Sequence, residues 1–281
     1  MSSLRQTPAP ERVLAVAAHP DDIEFMTGGT LSAWIDQGAQ VHYLLVTDGA
    51  GGSRDPQQTP EALGCQRRRE QRAAAALLGA SSVTFLGHRD AEVAPSHELR
   101  LAIARVIRQV RPEAVLTFDP QRYYGAAGIN HPDHLAVGAS TLAAIMPLAN
   151  TLLAAPSLAA EGHAPHDVAS IYLFDPLAPT AWMPLALRDA ERKIAALEAH
   201  ASQLAGWDAA GAAYRSMREA ARAARTAGVR CALAEAFTCV QLVEPARAKE
   251  PARRASASLQ IASQVGAAWQ AMQLALARLG G

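Results

Sequence analysis

Cysteine is scarce in this chain. Cys65, Cys231 and Cys239 are the only three in 281 residues, and no two form a Cys-x-x-Cys pair. An odd, sparse set argues against a disulfide scaffold and against a thiolate zinc site, and fits a reducing cytoplasm. An excess of one charge is lacking too. The 26 Lys and Arg balance the 26 Asp and Glu, so there is no basic footprint for nucleic acid. No apolar run reaches the ~18 residues of a membrane span. Met1 to Arg12 lacks the apolar core of a secretory signal. Neither GxGxxG before a helix nor GxxxxGK[ST] occurs, which disfavours a nucleotide-dependent oxidoreductase and a phosphate-cradling loop. No internal repeat is evident.

What is present is a sizeable apolar fraction, 50% of the chain, and a concentrated polar stretch. Val13 to Ala18 is a short apolar run bounded by Pro20, the pattern of a buried parallel strand. His19-Pro20-Asp21-Asp22-Ile23-Glu24 follows it directly, and Gly28-Gly29-Thr30-Leu31 comes soon after. Polar residues at the carboxyl end of such a strand line the crevice where open α/β sheets bind ligands. Helix capping by Asp21 or Asp22, with a turn bond from His19, is the packing alternative. A second cluster weighs against it. Asn130-His131-Pro132-Asp133-His134 lies beyond another apolar run, Ala114 to Phe118. Two His-Pro-Asp tripeptides, each beyond a strand, are expected to meet at one site.

These paired motifs resemble the PIG-L/LmbE-like zinc-dependent N-deacetylases, whose patterns His-Pro-Asp-Asp with Gly-Gly-Thr-Leu and His-Pro-Asp-His both stand here intact. The resemblance is strong over the first half and weaker to about Gln203. Arg67 to Glu70 with Leu78-Gly79, and Lys193, Ala196-Leu197, His200 and Ser202-Gln203, also match the family. Leu233 to Phe237 resembles its terminal strand region. Trp182-Met183-Pro184-Leu185 stands where the family often has an acidic, threonine-containing segment, so the resemblance does not define the acceptor pocket.

Apolar periodicity predicts strands at 41–46, 82–86, 114–118 and 168–174. It predicts helices at 31–38, 60–78, 99–110, 133–146, 188–204 and 214–227, the first opened by Thr27 to Thr30. Alternating strands and helices imply an α/β fold, a Rossmann-like three-layer sandwich with a mostly parallel central sheet. His42 reads as a satisfied core or edge histidine, and the Arg67 to Arg72 cluster as a solvated face. Residues 1–245 are expected to form the deacetylase domain. Residues 246–281 are expected to add a linker and a helical extension, with Ala255 to Leu279 as an amphipathic helix suited to contact between copies.

A zinc site wants about three protein ligands and an open position. His19 and Asp22, three residues apart, suit two of them. The resemblance supplies His134 as the third, implying one zinc per chain, although such a donor set accepts other divalent ions. It implies Asp21 as general base, with a pKa held low by the neighbouring cation. It implies His131 as the group that stabilises the oxyanion or protonates the amine. Asp133 and Glu24 are read as supporting residues that orient His131 or cap a helix. Arg54 on the Gly49 to Asp55 loop, His88 at a strand end, and Tyr124 on the Gln121 to Asn130 loop are the candidate substrate contacts. The expected substrate is a small N-acetylated amino sugar or its conjugate. A non-sugar N-acyl amide, or a binding module without catalysis, is the alternative.

Overall fold

The computed structural model describes residues 2–3, 8–125, 128–204 and 206–242. The expected linker and helix beyond residue 245 lie outside the described residues. In chain order the elements are β1 (Ser2–Ser3), β2 (Arg12–Ala17), α1 (Asp22–Ile35), β3 (Gln40–Thr47), α2 (Pro60–Leu78), β4 (Ser82–His88), α3 (His97–Val110) and β5 (Ala114–Phe118). There follow β6 (Tyr124–Gly125), β7 (Gly128–Ile129), α4 (Pro132–Ala143), a π-helical turn (Ala144–Ala149), α5 (Pro156–Ala160), β8 (Ser170–Phe174), β9 (Ala181–Leu185), α6 (Leu187–Glu198), a 3-10 turn (Ala201–Gln203), α7 (Ala209–Thr226) and β10 (Leu233–Gln241).

Eight strands form one sheet in the order β1-β9-β10-β8-β5-β2-β3-β4. β2, β3, β4, β5 and β8 pair in parallel, and β10 pairs antiparallel with both β8 and β9. The chain leaves β2 toward β3 and β4, then crosses back to place β5 on the other side of β2. That reversal opens a crevice at the carboxyl ends of β2 and β5, the position where such sheets take ligands. Covered on both faces, the central strands are apolar throughout: Val13 to Ala18 and Ala114 to Leu116 have no exposed surface.

Local signals set the helix ends. The Thr59 side chain accepts from Ala62 N–H at 3.2 Å, Pro60 takes the first turn, and Gly79 ends α2 at φ 88°. Ser96 caps α3 by accepting from Leu99 N–H at 3.1 Å.

Helix α1 departs from the sequence reading. It begins at Asp22, not Leu31, and runs straight through the glycines. A buried ion pair explains how. Lys193 Nζ from α6 meets Glu235 Oε1 from β10 at 2.5 Å and also donates to the Phe25 carbonyl. In a regular helix that carbonyl would receive the Gly29 N–H. Glu235 accepts the N–H groups of Gly29 and Thr30, at 3.0 and 2.7 Å, and the Thr30 hydroxyl. The approach requires missing side chains. A Cβ at Gly28 would lie 3.3 Å from Lys193 Cγ, and one at Gly29 only 2.5 Å from Leu185 Cδ1.

Three other segments differ from expectation. The Gln121 to Asn130 loop contains the β6–β7 ribbon, pairing Tyr124 with Ile129. Trp182 to Leu185 lies in β9, a strand hidden from periodicity because Pro184 breaks its short apolar run. The expected helix 188–204 stops at Glu198 and resumes only as a 3-10 turn.

Two stability tests follow from this packing. Lys193→Met leaves Glu235 as an unpaired buried charge and should lower unfolding free energy by about 3–5 kcal/mol in urea titration. Gly138→Ala would place a Cβ 2.5 Å from the Phe118 carbonyl oxygen and push α4 off β5. That variant should lose about 1–3 kcal/mol.

Candidate active site

The two His-Pro-Asp loops leave neighbouring strands, and they meet. His19, Pro20 and Asp21 follow β2, and Asp22 opens α1 with its Oδ2 accepting the His19 N–H at 2.7 Å. The Thr47 N–H and hydroxyl both donate to the Ala18 carbonyl at 2.9 Å, tying the end of β3 to this loop. From the other side, His131 precedes α4, Pro132 occupies its first turn, and His134 sits within it.

Asp22 stands between two histidines. Its Oδ2 is 3.5 Å from His19 Nδ1 and its Oδ1 is 3.3 Å from His134 Nε2. One donor atom from each of the three side chains lies within 4.8 Å of the others. The far nitrogen of each ring is engaged. His19 Nε2 faces Asp133 Oδ2 at 3.2 Å and Asp90 Oδ1 at 3.1 Å, and His134 Nδ1 faces Asn130 Oδ1 at 2.9 Å. These oxygens accept, so each far nitrogen carries a proton and the near nitrogen is the one that can hold either a proton or a cation. Phe118 stacks on His134 with centroids 3.9 Å apart, fixing the ring plane.

The charge balance calls for a cation. Asp22, Asp90 and Asp133 all surround His19. Burial alone would keep His19 neutral, but hydrogen bonds to Asp133, Asp22 and Asp90 lift its pKa to about 11. The protein's own groups thus fill this place with a proton. Burial would raise the carboxyl of Asp22, yet attraction to His134 and bonds from both histidines hold it well below the usual range. Asp90, despite burial, is held down to about 2 by His19. Two imidazole nitrogens and a deprotonated carboxylate on a buried, anionic cluster fit a divalent cation.

Asp133 corrects one expectation. Its carboxylate serves His19 rather than His131: Oδ2 also accepts the Ala91 N–H at 2.8 Å and Oδ1 the Val93 N–H at 3.2 Å, while His131 Nδ1 is 4.0 Å away. His131 Nδ1 instead accepts the Asp133 backbone N–H at 3.2 Å. With Nδ1 so used, the neutral ring carries its proton on Nε2. Burial and the neighbouring His19 keep His131 neutral by lowering its pKa.

Asp21 holds a left-handed backbone at φ 92°. Its Oδ2 is 3.1 Å from Arg67 Nη2, which also donates to the Pro20 carbonyl at 2.6 Å. Arg67 is 4% exposed, so it is no part of a solvated face. Nor do the protein's own groups hold Asp21 low. Burial and Asp22 push it up to about 6, against the pull of Arg67.

The remaining residues fall at varying distance from this centre. Glu24 is fully buried on the far side of α1, hydrogen-bonded to Gln71 and not to His131. His88 lines a cleft of about 480 Å³ with Asp48, Arg68 and Asp90, and Asp90 joins that cleft to His19. Arg54 lines a separate cleft with Gln58, Gln66 and Gln203, which contains neither His19, Asp22 nor His134. Tyr124 is 76% exposed on its ribbon, whose continuation is Asn130. His42 bonds Ser82 at 2.8 Å, away from the site. Asp90, Asn130, Arg67 and Gln71 carry no role in the sequence reading. For the last two a signal exists: with Leu63, Ala74 and Leu78 they share one buried helical stripe.

The family model for PIG-L, GlcNAc-PI de-N-acetylase, matches residues 14–145. Diacetylchitobiose deacetylase of Thermococcus kodakarensis is 37% identical over 128 residues, 46% of this chain and 46% of that protein. The 1D-myo-inositol 2-acetamido-2-deoxy-alpha-D-glucopyranoside deacetylase of Kineococcus radiotolerans is 32% identical over 203 residues, 61% of this chain and 54% of that protein. The chain spans about half the length of the curated relatives it matches. In structure it is similar to N,N'-diacetylchitobiose deacetylase from Pyrococcus horikoshii, with a TM-score of 0.74 and 26% identity over 84% of this chain and 86% of that one. The match to the PIG-L model at residues 14–145 spans both His-Pro-Asp loops.

Proposed function

We propose that this protein is a zinc-dependent hydrolase that removes an acetyl group from the amine of a small N-acetylated amino sugar or its conjugate. The observation that carries the reading is the cage of His19, Asp22 and His134, with Asp21 adjoining it and each histidine oriented through its far nitrogen. Relatives named as deacetylases of diacetylchitobiose and of an inositol-linked acetamido sugar support the substrate class. Three unpaired cysteines support a reducing, cytoplasmic setting. No helix among the described residues is long and apolar enough to cross a membrane.

His19, Asp22 and His134 would hold the ion. Zinc bound there supplies Lewis acidity, which acidifies a water and polarises an amide carbonyl. The chain's own groups do the rest. Asp21, beside the cage, takes the proton of the attacking water and returns it to the departing amine. Arg67 fixes the carboxylate that performs this transfer. His131 presents Nε2–H to the oxygen on which negative charge develops. Asp133 and Asn130 keep His19 and His134 in the tautomers that leave their lone pairs available.

Replacing Asp21 with Ala separates chemistry from binding. The variant should keep about one zinc per chain by metal analysis and lose on the order of a hundredfold or more in acetate release from N-acetylglucosamine conjugates. Wild-type turnover in the zinc-loaded variant would sink the assignment. Asp22→Asn should show the opposite pattern, a loss of bound zinc measured directly in equilibrium dialysis.

A further inference from the structure

Asp21 has a strained backbone. A side chain at φ 92° is disfavoured, and such strain persists only where the surroundings over-determine it. The Arg67 bonds hold the Pro20 carbonyl and the Asp21 carboxylate, but the Asp21 peptide nitrogen is held by something else. Its N–H donates to Gln71 Oε1 at 3.2 Å.

The orientation of that amide is dictated from behind. Gln71 Nε2 donates to Glu24 Oε1 at 2.8 Å. A carboxylate only accepts, so the Gln71 nitrogen must face Glu24 and its oxygen must face Asp21. Glu24 is in turn paired. Its Oε2 lies 3.3 Å from His200 Nε2, and both side chains are fully buried. Burial disfavours a charged His200, but the bond to and attraction of Glu24 raise its pKa. A continuous line therefore runs from the turn after α6, through α1 and α2, to one backbone N–H.

We infer that Gln71, oriented by the buried Glu24–His200 pair, is a positioning residue that holds Asp21 in its left-handed conformation and so aims its carboxylate at the attacking water. The inference rests on the reading of Asp21 as general base. Gln71 hydrogen-bonds Asp21 and Glu24 and none of His19, Asp22 and His134, so its direct link to the site is the Asp21 N–H. A misplacement of about 1 Å at a reacting group is enough to lower a rate a hundredfold.

The test is a double-mutant cycle in the full-length, zinc-loaded chain. Gln71→Leu should lower kcat by roughly tenfold or more, with KM and zinc content unchanged. In an Asp21→Ala background the same substitution should change kcat by less than about twofold, because the group it positions is gone. Equal fold losses in both backgrounds would overturn the inference while leaving Asp21 as base. Wild-type kcat in Asp21→Ala alone would overturn the base assignment and this inference with it. Should Gln71→Leu fail to fold, Gln71→Asn retains the amide one methylene short. It should show the same dependence on Asp21, and a wild-type kcat in Gln71→Asn would count against the inference.

Discussion

The carboxylate of Asp133 is fully buried, and the site depends on it. It binds the ring of His19 from the loop after β2 and the backbone N–H groups of Ala91 and Val93 from the loop after β4. Its own residue belongs to the first turn of α4, beyond β5. One side chain thus joins three strand ends. Leaving any of these groups unpaired in the interior would be unfavourable by about 1–3 kcal/mol or more. The bond to His19 Nε2 also decides which nitrogen of that ring faces Asp22. Fold assembly and ligand orientation are here the same interaction.

The central strands were legible because they are continuous apolar runs, and the crevice followed from their alternation with helices. The meeting of the two His-Pro-Asp loops was legible as well, since each stands beyond a strand and β2 pairs with β5. What escaped was set by distant partners. The start of α1 was misread because its glycines look like a turn. They are small so that Lys193 and Glu235, far along the chain, can enter the helix. β9 was missed because Pro184 breaks its short apolar run, and a proline argues against a strand inside a sheet. Arg67 was hidden among Arg68, Arg69 and Arg72. Only its place on the stripe with Leu63, Gln71 and Leu78 distinguishes it.

Two buried networks flank α1. Lys193 and Glu235 fix its middle, and Glu24 with His200 and Gln71 reaches its beginning. The helix that presents Asp22 is therefore restrained by polar contacts at both levels. Polar groups are costly to bury, and Lys193, Glu235 and Gln71 each hydrogen-bond a partner across an element boundary. The exposed rim has none of this constraint. Tyr124 and Ile129 project from a two-residue ribbon, and Arg54 sits on an exposed loop. That difference in burial separates the constrained cage from its exposed surroundings.

Two adjoining groups could hold a metal ion, His19 with Asp22 and His134, and His19 with Asp90, His131 and Asp133, and the first is the cage proposed for zinc. The most direct measurement is the zinc-edge X-ray absorption spectrum of zinc-loaded protein, compared with its His134→Ala and His131→Ala variants. The expected result is two imidazoles in a nitrogen and oxygen shell for the wild type and for His131→Ala, and one for His134→Ala. Loss of an imidazole in His131→Ala, with two kept in His134→Ala, would contradict it.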